Sequence, residues 1–187
     1  MVIVKQRSAS GNNWGVYHAS PGATKYLELN TTIAATTGGT PWNNTEPTST
    51  VFTVGNWGAV NANGSTYVAY CFAPIAGYSA FGSYTGNGST DGPFVFCGFR
   101  PAWLLYKLSS ASGENWWIVD AKRDTYNIVG NIISPSLSNG EFSNSSILDF
   151  TSNGFKIRTT SGTVNINGST YIFAAFAESP FKYALAR

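Results

Sequence analysis

Charge is what this sequence has least of. Charged residues make up 11% of its 187 residues, where soluble domains ordinarily carry roughly 25%. Lys and Arg total 11 against 9 Asp and Glu, leaving a formal charge of +2, and the basic residues stand singly. A nucleic-acid surface gathers its basic residues into a patch or stripe, so that class is excluded. The two cysteines, Cys71 and Cys97, allow a single pairing, too few for a disulfide framework. Each lies in an apolar run and reads as a buried free thiol packing like a small hydrophobe. No stretch approaches the roughly 20 apolar residues of a membrane-spanning helix. Met1 to Lys5 is too short for the apolar core of a secretion signal and has no basic leader.

What is present is aromatic and turn-forming. Aromatics reach 15%, with 6 Trp, 10 Tyr and 12 Phe, enough apolar surface to exclude a disordered chain. The polar surface comes from Gly, Ser, Thr and Asn in clusters such as Gly38-Gly39-Thr40 and Gly86-Asn87-Gly88-Ser89-Thr90. Between the clusters lie short runs rich in β-branched and aromatic residues: Thr66–Phe72, Phe94–Cys97, Trp103–Lys107 and Trp116–Val119. Asn63-Gly64, Asn153-Gly154 and Asn167-Gly168 are tight-turn dipeptides, because Asn and Gly adopt positive φ cheaply. Sustained helical periodicity is lacking. Strands such as Phe94–Cys97, apolar at nearly every position, predict sheets covered on both faces.

The chain also repeats itself. Lys5-Gln-Arg-Ser-Ala-Ser-Gly-Asn-Asn-Trp14 aligns with Lys107-Leu-Ser-Ser-Ala-Ser-Gly-Glu-Asn-Trp116. Val51–Val54 aligns with Gly154–Ile157, and Val60-Asn-Ala-Asn-Gly-Ser-Thr-Tyr67 with Val164-Asn-Ile-Asn-Gly-Ser-Thr-Tyr171. Three blocks in one order, each about 100 residues apart, mark two copies of one unit. The expected fold is all-β: two tandem β-sandwich, jelly-roll-like repeats, residues 1–85 and 86–187. The second unit is preceded by Gly92-Pro-Phe-Val-Phe-Cys-Gly-Phe-Arg-Pro101, and the first has no counterpart before Met1. The first repeat therefore lacks its leading strand, which predicts an unpaired edge at Val2, Ile3 and Val4. A partner chain, the other repeat or an N-terminal segment would cover it.

Reactive constellations are sparse. His18, the one histidine, lacks a Gly-x-Ser-x-Gly elbow to complete a hydrolase triad and reads as structural. Asp120 and Asp124 beside Lys122 and Arg123 read as a local salt-bridge cluster. A carboxylate pair for sugar hydrolysis drawn from Glu114, Asp120 and Asp124 is not singled out by spacing. A calcium site from Asp91, Asp149 and loop carbonyls is the remaining metal alternative. We expect no catalytic residue, no metal and no cofactor. Aromatics beside turn residues are the candidate ligand or partner contacts: Trp42, Trp57 and Tyr84. Trp14 and Trp116 occupy equivalent repeat positions, which favours a structural role. The sequons at Asn30, Asn43, Asn63, Asn87, Asn144 and Asn167 read as a consequence of turn composition.

Asn63-Gly-Ser-Thr-Tyr-Val-Ala-Tyr-Cys-Phe72, Gly22-Ala-Thr-Lys-Tyr-Leu27, Ser152-Asn-Gly-Phe155 and Gly98-Phe-Arg-Pro-Ala-Trp103 resemble a repeated β-domain of bacteriophage tail-fibre and related virion proteins. Pro180-Phe-Lys-Tyr-Ala184 with Arg187 resembles the usual end of such chains. The resemblance implies a virion structural protein, assembled in the host cytoplasm, that attaches to the host surface by binding rather than catalysis. It implies a homo-oligomer, a trimer among the options, with other virion proteins and a host surface glycan as partners. A capsid decoration protein and a glycan-depolymerising enzyme are the alternatives.

Overall fold

The computed structural model describes residues 1–178, apart from the side chains of Asn144 and Ser145. The terminal Pro180–Arg187 segment lies outside the described residues. Among the described residues the fold is all-β, with three antiparallel sheets and two helices of 4 residues each.

Strands β1 (Val2–Gln6), β2 (Gly15–Tyr17), β3 (Lys25–Glu28), β4 (Thr36–Thr37) and β5 (Tyr67–Cys71) form one sheet in the order β4-β3-β2-β1-β5. Helix α1 (Gly58–Asn61) precedes β5. The second sheet has the order β6-β13-β8-β9, from β6 (Ser79–Thr85), β8 (Pro101–Leu108), β9 (Trp116–Asp120) and β13 (Thr170–Ala177). The third, β10-β11-β12-β7, joins β7 (Phe94–Phe96), β10 (Val129–Ile132), β11 (Phe142–Thr151) and β12 (Gly154–Ile157). Helix α2 (Gly162–Asn165) precedes β13 as α1 precedes β5.

The three sheets stack in layers, and the β6-β13-β8-β9 sheet is the middle one. On one face, Leu104, Tyr106, Tyr171 and Phe173 pack against Ile147, Phe150, Phe155 and Ile157 of the third sheet. On the other, Leu105, Trp116, Ile172 and Ala174 pack against Ile3, Val16 and Leu27 of the first. Period-two alternation sends successive side chains into different cores, so β8 and β13 are apolar at nearly every position. Phe94–Phe96, the run expected to be covered twice, is instead an edge strand. Val95 faces the core, while Phe94 and Phe96 point to solvent, 46% and 68% exposed.

The first sheet's far face is covered by the chain between β4 and β5 rather than by another sheet. Trp42, Phe52, Val54, Trp57 and Val60 lie over Val2, Val4 and Tyr17. Glu46 ties this cover down: it accepts a hydrogen bond from the Tyr17 hydroxyl and one of 2.7 Å from the Ala23 N–H. Hydrogen bonds as well as apolar packing bind the first and middle sheets. The Trp116 indole N–H donates to the Glu28 carbonyl at 2.8 Å, and His18 Nε2 lies 3.0 Å from the Phe173 carbonyl.

The expected open edge at Val2, Ile3 and Val4 is not there. Strand β1 pairs on both sides, with β2 through Val2↔Tyr17 and with β5 through Val2↔Cys71 to Gln6↔Tyr67. The long hairpin-like return of β5 onto β1 closes that edge, and β5 itself becomes one of the sheet's two edge strands, with β4 the other. Strand β6 precedes residue 86 but hydrogen-bonds along β13, from Ser79↔Phe176 to Thr85↔Thr170.

Candidate functional site

Of the three aromatic contact candidates, two are core residues. Trp42 is 2% exposed and meets the Tyr17 ring edge-on at 6.0 Å. Tyr84 is buried, stacks on Tyr171 at 5.2 Å and donates its hydroxyl to the Val164 carbonyl at 3.0 Å. Polar turn residues flank both in sequence, which is what makes them contact candidates there. Trp42 covers the outer face of the first sheet, whereas Tyr84 is a β6 residue that fills the core between the middle and third sheets. Trp57 is half-buried, lies 4.8 Å from the Tyr26 ring and packs over Gly15, where an added Cβ would stand 3.1 Å from the indole.

The acidic candidates are held structurally. Arg123 bridges Asp120 at 2.6 Å and Glu141 at 3.0 Å, which makes the expected salt-bridge cluster. Asp124 stands apart from it and accepts the Gly130 and Asn131 backbone N–H groups. Asp91 pairs with Lys156 at 2.6 Å and Asp149 with Arg158 at 2.5 Å, so each considered calcium ligand faces a cation. His18 is buried. Its Nδ1 accepts the Ser20 N–H at 3.1 Å, so Nε2 carries the proton donated to Phe173. Burial pushes its pKa down to about 4, against the raising effect of the Phe173 carbonyl. The thiols are both free; Cys71 is exposed rather than buried, and Cys97 is half-buried.

Two surfaces remain, and both were missed from sequence. The first is the outer face of the third sheet at β7, where Phe94 and Phe96 stand exposed and Phe94 pairs with Lys156 of β12. Their alternation with buried Val95 was the available signal.

The second surface lies along β5. The Phe72 N–H donates to the Met1 carbonyl at 2.9 Å and the Arg7 N–H to the Thr66 carbonyl at 2.8 Å. Antiparallel alternation therefore turns the even-numbered residues of this strand toward β1. The N–H and C=O groups of Tyr67, Ala69 and Cys71 point outward and have no partner among the described residues. Beside this edge an apolar cleft of about 340 Å³ is lined by Val2, Tyr17, Val51, Phe52, Cys71 and Pro74, among others. Beyond the other end of β5, an amide-rich cleft of about 670 Å³ is lined by Thr40, Asn43, Asn44, Gly55, Asn56 and Asn61 among others. Asn43 and Asn44 both take positive φ, at 51° and 50°.

Residues 1–180 match the family described as "Domain of unknown function (DUF7483)". The chain belongs to this family. No curated protein matches it, and no solved structure does. All of the described residues thus fall within one family unit.

Proposed function

We propose that this family member is a structural protein of the bacteriophage virion, tail-fibre or tail-associated, that attaches to the host surface by binding rather than by catalysis. The sequence resemblance supplies the setting, and Phe94 and Phe96 carry the reading of the surface. Two large rings held on a rigid sheet face are preorganised, so binding costs little side-chain entropy. A ring face stacks on the C–H side of a sugar, and Lys156 beside it, whose ammonium already donates to Asp91 and to the Gly92 carbonyl, has one donor left for a hydroxyl. The low charge of the chain suits a neutral glycan.

The test is binding of purified protein to host cell-wall polysaccharide, with Phe94→Ser/Phe96→Ser as the variant. Retention of the thermal midpoint with at least a tenfold loss of binding is expected. Unchanged binding by the variant overturns the role of this face. Antibody labelling of particles tests the setting, and label on the head rather than the tail favours the second reading, a capsid decoration protein. The unpaired β5 edge supports that alternative, because a clamp between subunits needs a surface that docks another chain.

A further inference from the structure

Aligned residues of the two repeats take up matching roles, and that comparison assigns the β5 surface. Tyr67, Ala69 and Cys71 correspond to Tyr171, Phe173 and Ala175 of β13 in the second repeat. There the same three positions are occupied: Tyr171 pairs with Tyr84, Phe173 with Gly82 and Ala175 with Ala80, all on β6. The chain then continues past β6 over the end of α2. Asn165, at the end of that helix, is fully buried by this crossing. Its side-chain oxygen accepts the Asn87 N–H at 2.8 Å, and its amide donates to the Ser89 carbonyl at 2.8 Å and the Thr159 carbonyl at 2.8 Å. Gly86 fits so closely that an added Cβ would stand 2.3 Å from the Ile166 carbonyl oxygen.

Asn61 is the counterpart of Asn165. Its amide makes the equivalent internal bond, to the Gly55 carbonyl at 2.8 Å. Yet Asn61 is exposed and lines the amide-rich cleft. The bare strand edge and the open cleft are thus the two halves of one footprint, that of the segment Ser79–Asp91 on the second repeat.

We propose that the first repeat is an acceptor site for a strand-and-turn segment of the Ser79–Asp91 type, supplied by a different, partner polypeptide. The strand pairs antiparallel to β5 through Tyr67, Ala69 and Cys71. Its small residues stand opposite Ala69 and Cys71, and an aromatic stands opposite Tyr67, as Gly82, Ala80 and Tyr84 do on β13. The Asn-Gly-Ser turn that follows supplies the backbone N–H and C=O groups that Asn61 lacks. Main-chain bonds give the affinity, and the side-chain requirements and the apolar cleft at Cys71 give the selectivity. A second copy does not offer its own β6 whole, since its inward edge is used on β13. The inference rests on the repeat geometry and stands whether or not the host-attachment reading holds.

The experiment is titration of the full chain with a synthetic peptide of residues Ser79–Asp91, read by fluorescence anisotropy and by hydrogen exchange. Saturable binding of one peptide per chain is expected, with slowed exchange at the Ala69 and Cys71 amides. Proline in place of Gly82 in the peptide removes an N–H that faces β5, and affinity is expected to fall roughly tenfold or more. In the protein, Ala69→Pro removes an outward N–H without touching the β1 ladder, and Asn61→Ala removes the turn contact; both are expected to weaken binding. No binding, or equal binding of the proline peptide, overturns the proposal. So does protection confined to β13, which means that the peptide only displaces β6. Self-association of the chain that Ala69→Pro abolishes and the peptide leaves unchanged also overturns it, and assigns the edge to a second copy.

Discussion

Tyr67 and Tyr171 do the same work in the two repeats. The Tyr171 hydroxyl donates to the Gly162 carbonyl at 2.6 Å and accepts the Ile166 N–H at 3.0 Å. The Tyr67 hydroxyl donates to the Gly58 carbonyl at 2.7 Å and accepts the Ala62 N–H at 2.7 Å. Each tyrosine thereby clamps both ends of the short helix before its own strand, which is too short to be stable alone.

The surroundings of the two rings differ, and this gives a first prediction. Tyr171 is fully buried beneath Tyr84, whereas Tyr67 lies at the open edge. Tyr171→Phe leaves a carbonyl and an N–H without their partner beside a fully buried ring and is expected to cost about 1–3 kcal/mol. Tyr67→Phe is expected to cost less, because water reaches the freed groups. Urea denaturation of both variants measures the difference, and equal losses would contradict it.

Acid should weaken the contact between the first and middle sheets. His18 titrates near the ordinary 6.5 when unfolded and near 4 when folded. Above 6.5 both states are neutral, and the stability is fully present. Between 6.5 and about 4 the unfolded state takes up the proton and the folded state does not, so stability falls with pH by up to about 1.4 kcal/mol per unit. Below about 4 the loss levels off. Thermal midpoints across this range should drop in the parent chain and drop less in His18→Gln.

Trp42 separates packing from recognition. Removing a buried indole by Trp42→Ala is expected to cost about 3–5 kcal/mol, since the cover over Val2, Val4 and Tyr17 loses its largest group. Any loss of ligand binding should track unfolding measured by circular dichroism. A Trp42→Ala chain of parental stability would show that the indole is not the cover's anchor.

The thiols should react unequally. Cys71 is exposed on the edge strand, while Cys97 is half-buried and its pKa is pushed up to about 12 by burial. Maleimide labelling followed by peptide mass spectrometry should find Cys71 modified first and Cys97 only on unfolding.

The repeat was legible in the sequence because turn and clamp residues, such as Asn63-Gly64-Ser-Thr-Tyr67 and Asn167-Gly168-Ser-Thr-Tyr171, are fixed by local geometry. Strand type was legible for the same reason: β-branched and aromatic runs bounded by Asn-Gly turns admit few other conformations. The exposed Phe94 and Phe96 and the buried Trp42 and Tyr84 were not legible, because apolarity says that a side chain can be buried and not which face has a neighbour.

By itself, the sequence determined that this chain is all-β, low in charge and carries one motif order twice. Only the tertiary structure decided which backbone groups are left unpaired. Strand β5 returns from beyond the Trp42 cover to pair with β1, a long-range contact with no local signature, and so moves the unpaired backbone from Val2–Val4 to Tyr67–Cys71. Strand β6 then crosses to β13, leaving β5 and Asn61 without the cover that β13 and Asn165 have. Hydrogen-bonding capacity is written residue by residue, but which groups are left over depends on which strands meet.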